Sequence, residues 1–115
     1  MSDDCLFCKI ISGDIPGDIV EQTGTVLAFR DINPQADTHI LIIPKIHIES
    51  TRDLNNENIH YLSEMAALAN KISESEGLSE SGYRWVINTG KDGGQTVNHL
   101  HLHLLGGRQL KWPPG

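Results

Sequence analysis

Hydrophobic positions along this chain switch between a helical period and strict alternation, and the switches divide it into short elements. From Cys5 to Ser12, residues Leu6, Phe7, Ile10 and Ile11 share one face at helical spacing, and Gly13 with Pro16 ends the run, which predicts a short opening helix. Two β-rich stretches follow, Asp18 to Gln22 and Val26 to Arg30, separated by Thr23-Gly24-Thr25 and leading into the turn Asp31-Ile32-Asn33-Pro34. A third, His39 to Pro44, is closed by its proline. From about Asn55 to Glu76 the apolar residues Ile59, Leu62, Met65, Ala66, Ala69 and Ile72 follow the 3.6 period, with Gly77 at the end, which predicts one long amphipathic helix. Tyr83 to Thr89 and Val97 to Leu105 are β-rich again, and Gly90-Lys91-Asp92-Gly93-Gly94-Gln95 between them predicts a hairpin with a glycine-rich loop.

Strands in hairpins, with one long helix inserted and one short helix leading, predict an α+β fold: an antiparallel sheet with its helices packed on one side. The 115 residues are expected to form one domain, long enough to bury roughly two thirds of the surface the unfolded chain exposes. The longest apolar runs, such as Ile40 to Ile43, fall far short of the roughly 20 residues that span a bilayer. The Met1-Ser2-Asp3-Asp4 start lacks the positive region of a signal peptide, so the expectation is a cytoplasmic protein without a membrane partner.

Charge alters the picture in one respect. The formal charge of -6 comes with acidic residues scattered along the chain and no basic stripe, which argues against a polynucleotide partner. It says nothing against a single nucleotide, because one phosphate can be held by neutral histidines and backbone N–H groups.

The candidate chemistry is concentrated in His99-Leu100-His101-Leu102-His103. On a strand, successive side chains point to opposite faces, so the three imidazoles share one face over about 13 Å while the leucines face the core. Three imidazoles at period two gain little from packing, so a purely structural origin is a weak account. Two readings remain. The histidines could ligate a metal, or one could act as a nucleophile, since an imidazole with an ordinary pKa near 6.5 presents an unprotonated nitrogen at neutral pH. The adjacent Gly93-Gly94-Gln95-Thr96 could turn backbone N–H groups toward a phosphate, although a simple Asp92-Gly93 hairpin turn explains it equally well. Separately, the Cys5-x-x-Cys8 spacing suits metal binding or redox chemistry before a structural disulfide. His60, on the long helix, reads as a surface residue.

The motif His99-Leu100-His101-Leu102-His103-Leu104-Leu105 resembles the signature of the histidine triad (HIT) family, and the chain is similar to its Hint branch of nucleoside phosphoramidate hydrolases. The likeness extends to Phe7-Cys8-Lys9-Ile10-Ile11, Phe29-Arg30-Asp31-Ile32-Asn33-Pro34-Gln35, Thr38-His39-Ile40-Leu41-Ile42-Ile43-Pro44-Lys45, Asp92-Gly93-Gly94-Gln95 and the tail from Gly106-Gly107-Arg108 through Trp112-Pro113-Pro114-Gly115. The resemblance implies a five-stranded antiparallel sheet with one long and one short helix, and a homodimer joining two such sheets. It also implies a double displacement on a nucleotide: His101 attacks the α-phosphorus, giving a nucleotidyl-histidine that water hydrolyses. His103 would bind phosphoryl oxygens and assist proton transfer, and His39 would complete the network behind the triad. Thr96 stands where many relatives carry serine and would reach the leaving group, while Asn88, Gly94 and Gln95 would hold phosphate oxygens.

By the same resemblance Asp31 would take the ribose hydroxyls of a purine nucleotide such as AMP or GMP, and Leu6, Phe7, Ile10, Phe29, Ile32 and Leu41 would line the base pocket. Without it, Asp31 reads as turn chemistry and the apolar residues as core. Arg30 departs from the histidine common in close relatives. Histidine at position 103, where transferase relatives have glutamine, favours hydrolysis. Residues 106–115 would reach the dimer interface, with Trp112 near the partner's site. Cys5, Cys8, His47 and His99 would close a four-ligand structural zinc site with no open position for substrate; two buried thiols, or redox chemistry, are the alternatives. Two functional rivals stand beside this reading, a metal-dependent hydrolase with the triad as ligands and a non-catalytic nucleotide-binding module.

Overall fold

The continuous apolar run Ile40-Leu41-Ile42-Ile43 already shows that the sheet needs cover on both faces, because a strand with one wet face alternates polar and apolar residues. In the computed structural model, which describes residues 4–115, β3 (Thr38–Pro44) is buried along its whole length. Met1, Ser2 and Asp3, part of the start read above for a leader, lie outside the described residues. The other strands are β1 (Ile19–Gln22), β2 (Val26–Arg30), β4 (Tyr83–Val86) and β5 (Leu102–Gly106), giving one sheet in the order β1-β2-β3-β5-β4. Every neighbouring pair is antiparallel, with Leu41 opposite His103 and His39 opposite Leu105 between β3 and β5.

Two helices cover the two faces. Helix α2 (His60–Ser75) buries Met65, Leu68, Ala69 and Ile72 against Val26, Ala28, Ile40, Ile42, Leu102 and Leu104. Helix α1 (Leu6–Ser12) buries Phe7, Cys8 and Ile10 against Leu27, Phe29, Leu41 and Ile43, which alternate with the first set. The helices therefore sit on opposite faces, not on one side as expected from the sequence. Each fully buried leucine or isoleucine contributes about 1.5–3 kcal/mol relative to exposure, so either face alone would leave a large apolar deficit.

Element ends deviate where side chains satisfy the backbone locally. The long helix starts at His60 rather than Asn55, because Asn58 Oδ1 accepts the Asn55 N–H (2.7 Å) and Asn55 Oδ1 accepts that of Glu57 (2.9 Å), making a polar turn ahead of it. It ends as expected at Gly77, whose φ of 76° lets the Leu78 N–H return to the Ser73 carbonyl at 2.8 Å. No helix among the described residues is long and apolar enough to cross a membrane.

Candidate active site

The expected strand from Val97 begins its ladder only at Leu102. Before it the chain is tied to the segment after β3: the Leu100 N–H donates to the Ile48 carbonyl (2.6 Å) and the His99 ring to the Pro44 carbonyl (2.9 Å). Alternation of side chains survives this departure. Leu100, Leu102 and Leu104 join the core under α2, while His99 and His101 pack edge-on against Phe7 on the α1 face. The ring centroids of His101 and His103 are 4.9 Å apart, and those of His39 and His103 are 5.2 Å apart.

Backbone groups fix which nitrogen of each ring carries the proton. A carbonyl can only accept, so the 2.7 Å contact from His101 Nδ1 to the His99 carbonyl places the His101 proton on Nδ1 and leaves Nε2 with its lone pair. Among the described residues nothing hydrogen-bonds that Nε2, and no buried side-chain nitrogen or oxygen lacks a partner, so Nε2 opens onto the cavity that His101 lines. His39 is held the opposite way. Its Nδ1 accepts the Gln35 backbone N–H (3.0 Å), so Nε2 carries the hydrogen, facing His103 Nδ1 at 2.9 Å and Asp31 Oδ2 at 3.4 Å. His103 Nδ1 must then accept, and its own hydrogen lies on Nε2.

Burial keeps these rings neutral. It pushes His103 down to about 4, with further repulsion from His101 and His39, and lowers His39 and His101 against the opposing pull of Asp31. Neutral His101 has a free lone pair on Nε2, as a nucleophile would need, and neutral His103 is a hydrogen-bond donor that adds no charge.

The cavity has a volume of about 270 Å³, and the expected Leu6, Phe7, Ile10, Phe29, Asp31, Ile32 and Leu41 all line it, with Thr96, His101 and His103 at its polar end. Ile32 is fully exposed at its rim. Asn88, Gly94, Gln95 and Trp112 are not among its lining residues. Gln95 is occupied elsewhere: its Oε1 accepts the Gly90 N–H (2.9 Å), and its Nε2 donates to the carbonyls of Glu49 (2.7 Å) and Val97 (3.1 Å). Asn88 Nδ2 donates to the Gly93 carbonyl at 2.7 Å. Both amides thus brace the 90–95 loop. Gly93 admits nothing larger, since a Cβ there would stand 2.3 Å from the Thr89 carbonyl oxygen. Trp112 is exposed, with the Arg84 guanidinium 5.9 Å from its ring centroid. Thr96 borders a second cavity of about 640 Å³, which Gly94, Gln95, Arg52 and Lys91 also line.

Sequence reasoning missed Asp18 and Gln35. Asp18 and Arg30 line the nucleoside-sized cavity, and Arg30 is held by Glu76 through contacts of 3.3 and 3.0 Å. The Arg30 departure from the resembling pattern was visible; the role of the Gln35 N–H has no side-chain signal.

The sulfur cluster forms as expected. Cys5 caps α1 by accepting the Cys8 N–H, and the ligand atoms of Cys5, Cys8, His47 and His99 lie within 4.8 Å of one another. His99 Nδ1 is 3.3 Å from Cys5 Sγ and 3.6 Å from Cys8 Sγ, and His47 Nδ1 is 3.3 Å from Cys8 Sγ. With the His99 proton on Nε2 toward Pro44, Nδ1 aims its lone pair at the sulfurs, the arrangement a metal-ligating histidine with a carbonyl behind it requires. Burial and the adjacent Cys5 push the Cys8 thiol up to about 11, a cost that a bound dication would reverse. The donor set therefore fits tetrahedral zinc.

A family model described as HIT domain matches residues 12–110. The chain is 53% identical over 110 residues to the purine nucleoside phosphoramidase of Escherichia coli (strain K12), covering 96% of this chain and 92% of that protein. It is 50% identical over 112 residues to a 14 kDa zinc-binding protein of Zea mays, covering 96% and 87%. Its structure superposes with a TM-score of 0.95 on the crystal structure of a HIT family hydrolase from Legionella pneumophila Philadelphia 1, 54% identical, covering 97% of this chain and all of that one.

Proposed function

Since the chain belongs to the HIT domain family and is a hydrolase, we propose that it cleaves purine nucleoside 5′-phosphoramidates or acyl nucleotidylates through a nucleotidyl-histidine on His101. The observation that carries this is the His101 ring, with its Nδ1 proton committed to the His99 carbonyl and its Nε2 lone pair open on a cavity of nucleoside size. The base would lie among Leu6, Phe7, Ile10 and Phe29, with Ile32 covered on binding, and the Asp31 carboxylate would accept from the ribose hydroxyls.

In the first half-reaction a bond forms between His101 Nε2 and the α-phosphorus as the P–N bond of a phosphoramidate, or the P–O bond to the carboxylate of an acyl nucleotidylate, breaks. The departing nitrogen takes a proton from solvent through the Thr96 hydroxyl, and an acyl leaving group needs none. The His103 Nε2–H donates to a phosphoryl oxygen as its charge grows. In the second half-reaction water attacks the same phosphorus, the His101–phosphorus bond breaks, and the proton that water loses balances the one given to the amine.

Zinc held by Cys5, Cys8, His47 and His99 would supply a structural tie between α1 and the segment preceding β5, without an open coordination position. The proposal also includes a homodimer that uses residues 106–115 and Trp112, and a cytoplasmic location. The Asp31, His39 and His103 group is no rival metal centre, because His39 Nε2 carries a hydrogen where a metal would need a lone pair.

The test is incubation with adenosine phosphoramidate and acid-quenched mass spectrometry, with an adenylyl adduct expected on the peptide containing His101. His101→Gly is expected to lose at least about 10³-fold in turnover while AMP binding persists. Absence of both turnover and adduct in the wild type would leave only a nucleotide-binding module.

A further inference from the structure

The donor role of His103 is set by a chain of contacts that begins far from it, in the segment after β5. Gly107 (φ +99°) turns the chain so closely over the 31–37 loop that a Cβ on it would stand 2.6 Å from the Asp37 Cβ. The turn delivers Arg108, whose Nη2–H donates to the Gln35 carbonyl at 2.9 Å while its Nη1–H donates to the Gln109 carbonyl at 3.2 Å. Gln35 is also held from its own side chain, which donates to the Asn33 carbonyl at 3.0 Å. The Gln35 N–H occupies His39 Nδ1, His39 Nε2–H points at His103 Nδ1, and the His103 hydrogen faces the cavity.

We infer that Arg108 is a positioning residue, acting through the Gln35 main chain to hold His39 in the one tautomer that makes His103 a donor to the phosphoryl group. The inference deepens the hydrolase reading and rests on it for the identity of the acceptor. A charged donor suits this place, since a hydrogen bond from a guanidinium to a carbonyl is stronger than one between neutral groups. Without it the Gln35 N–H is free to leave His39 Nδ1, and the His39 hydrogen can move to that nitrogen. Nε2 then presents a lone pair to His103 Nδ1, and His103 adjusts by moving its own hydrogen to Nδ1, away from the cavity.

Asp31 has backbone anchors apart from Arg108, since its N–H is bonded to the His39 carbonyl at 3.0 Å and its Oδ1 accepts the Asn33 N–H at 2.8 Å; its Oδ2, 3.4 Å from His39 Nε2, works with the Gln35 N–H to keep the His39 hydrogen on that nitrogen.

Two measurements on Arg108→Ala and Arg108→Lys test the inference in the full-length protein. In long-range ¹H–¹⁵N spectra of histidine-labelled protein, the Ala variant is expected to shift His39 and His103 away from the Nε2–H pattern while His101 keeps its Nδ1–H pattern, with partial return in the Lys variant. With adenosine phosphoramidate, kcat is expected to fall about 10-fold and KM to move less than about 2-fold. An unaltered His39 pattern in Arg108→Ala overturns the inference, and so does a joint shift of His39 and His101, which would mark general loosening. Should the wild type itself show no turnover, the substrate reading fails and the spectra alone decide the role of Arg108.

Discussion

Two histidine clusters lie on the same face of the sheet, built from similar donors, and the backbone assigns them opposite chemistry. In the first, Cys5, Cys8, His47 and His99, the Pro44 carbonyl takes the His99 Nε2–H and leaves the Nδ1 lone pair among the sulfurs. In the second, Asp31, His39 and His103, the Gln35 N–H takes the His39 Nδ1 lone pair and leaves a hydrogen between His39, Asp31 and His103. Side-chain inventory and spacing would call both of them metal sites. One carbonyl and one N–H decide that the first can hold a dication and that the second passes hydrogen-bond polarity toward the cavity His103 lines.

The sharpest way to break this comparison is to remove one ligand from each cluster. Cys8→Ser is expected to lose the roughly one zinc per chain that elemental analysis should find in the wild type, and to lower Tm by about 10 °C or more, since two or more kcal/mol are at stake in a domain of this size. His39→Gln should leave the zinc content unchanged. Equal zinc loss in both variants, or abolition of turnover by brief chelation without unfolding, would return the second cluster to metal chemistry. A smaller effect belongs to the carboxylate that faces His39 and lines the cavity, the group proposed to take the ribose: Asp31→Asn should raise KM about 10-fold with zinc content and Tm close to wild type.

The smallest effect is a pH dependence. His103 sits near 4 in the folded chain because burial and its two histidine neighbours disfavour the charged form, whereas in the unfolded chain it titrates near 6.5. The unfolded state therefore binds the extra proton first, and stability should decline as pH falls from about 6.5 toward 4 and be flat above that window. His103→Gln should flatten part of this slope in denaturant titrations at stepped pH. A slope identical to wild type would show that His103 is not buried as described.

Much of this site was legible because its logic is periodic. Alternation placed His99, His101 and His103 on one face and Leu100, Leu102 and Leu104 on the other, and this held even where the ladder stops short of His99. The face taken by α1 was not legible, because an amphipathic segment reports that it buries a stripe and not which side of a sheet receives it; the unbroken Ile40–Ile43 run carried that information instead. Gln95 and Asn88 come to phosphate only through the family resemblance, and what residue type could not show is that both side chains also brace the 90–95 loop. Gln35 meets His39 and Arg108 through its main-chain N–H and carbonyl, which any residue but proline would supply at position 35, so these contacts leave no trace in the residue type there.

Gly93 constrains how this chain can diversify. Its missing side chain lets the 90–95 loop lie directly on Thr89, so a mutation there is paid for by the whole loop, whereas the exposed Lys91 and Asp92 beside it can be exchanged without moving the backbone.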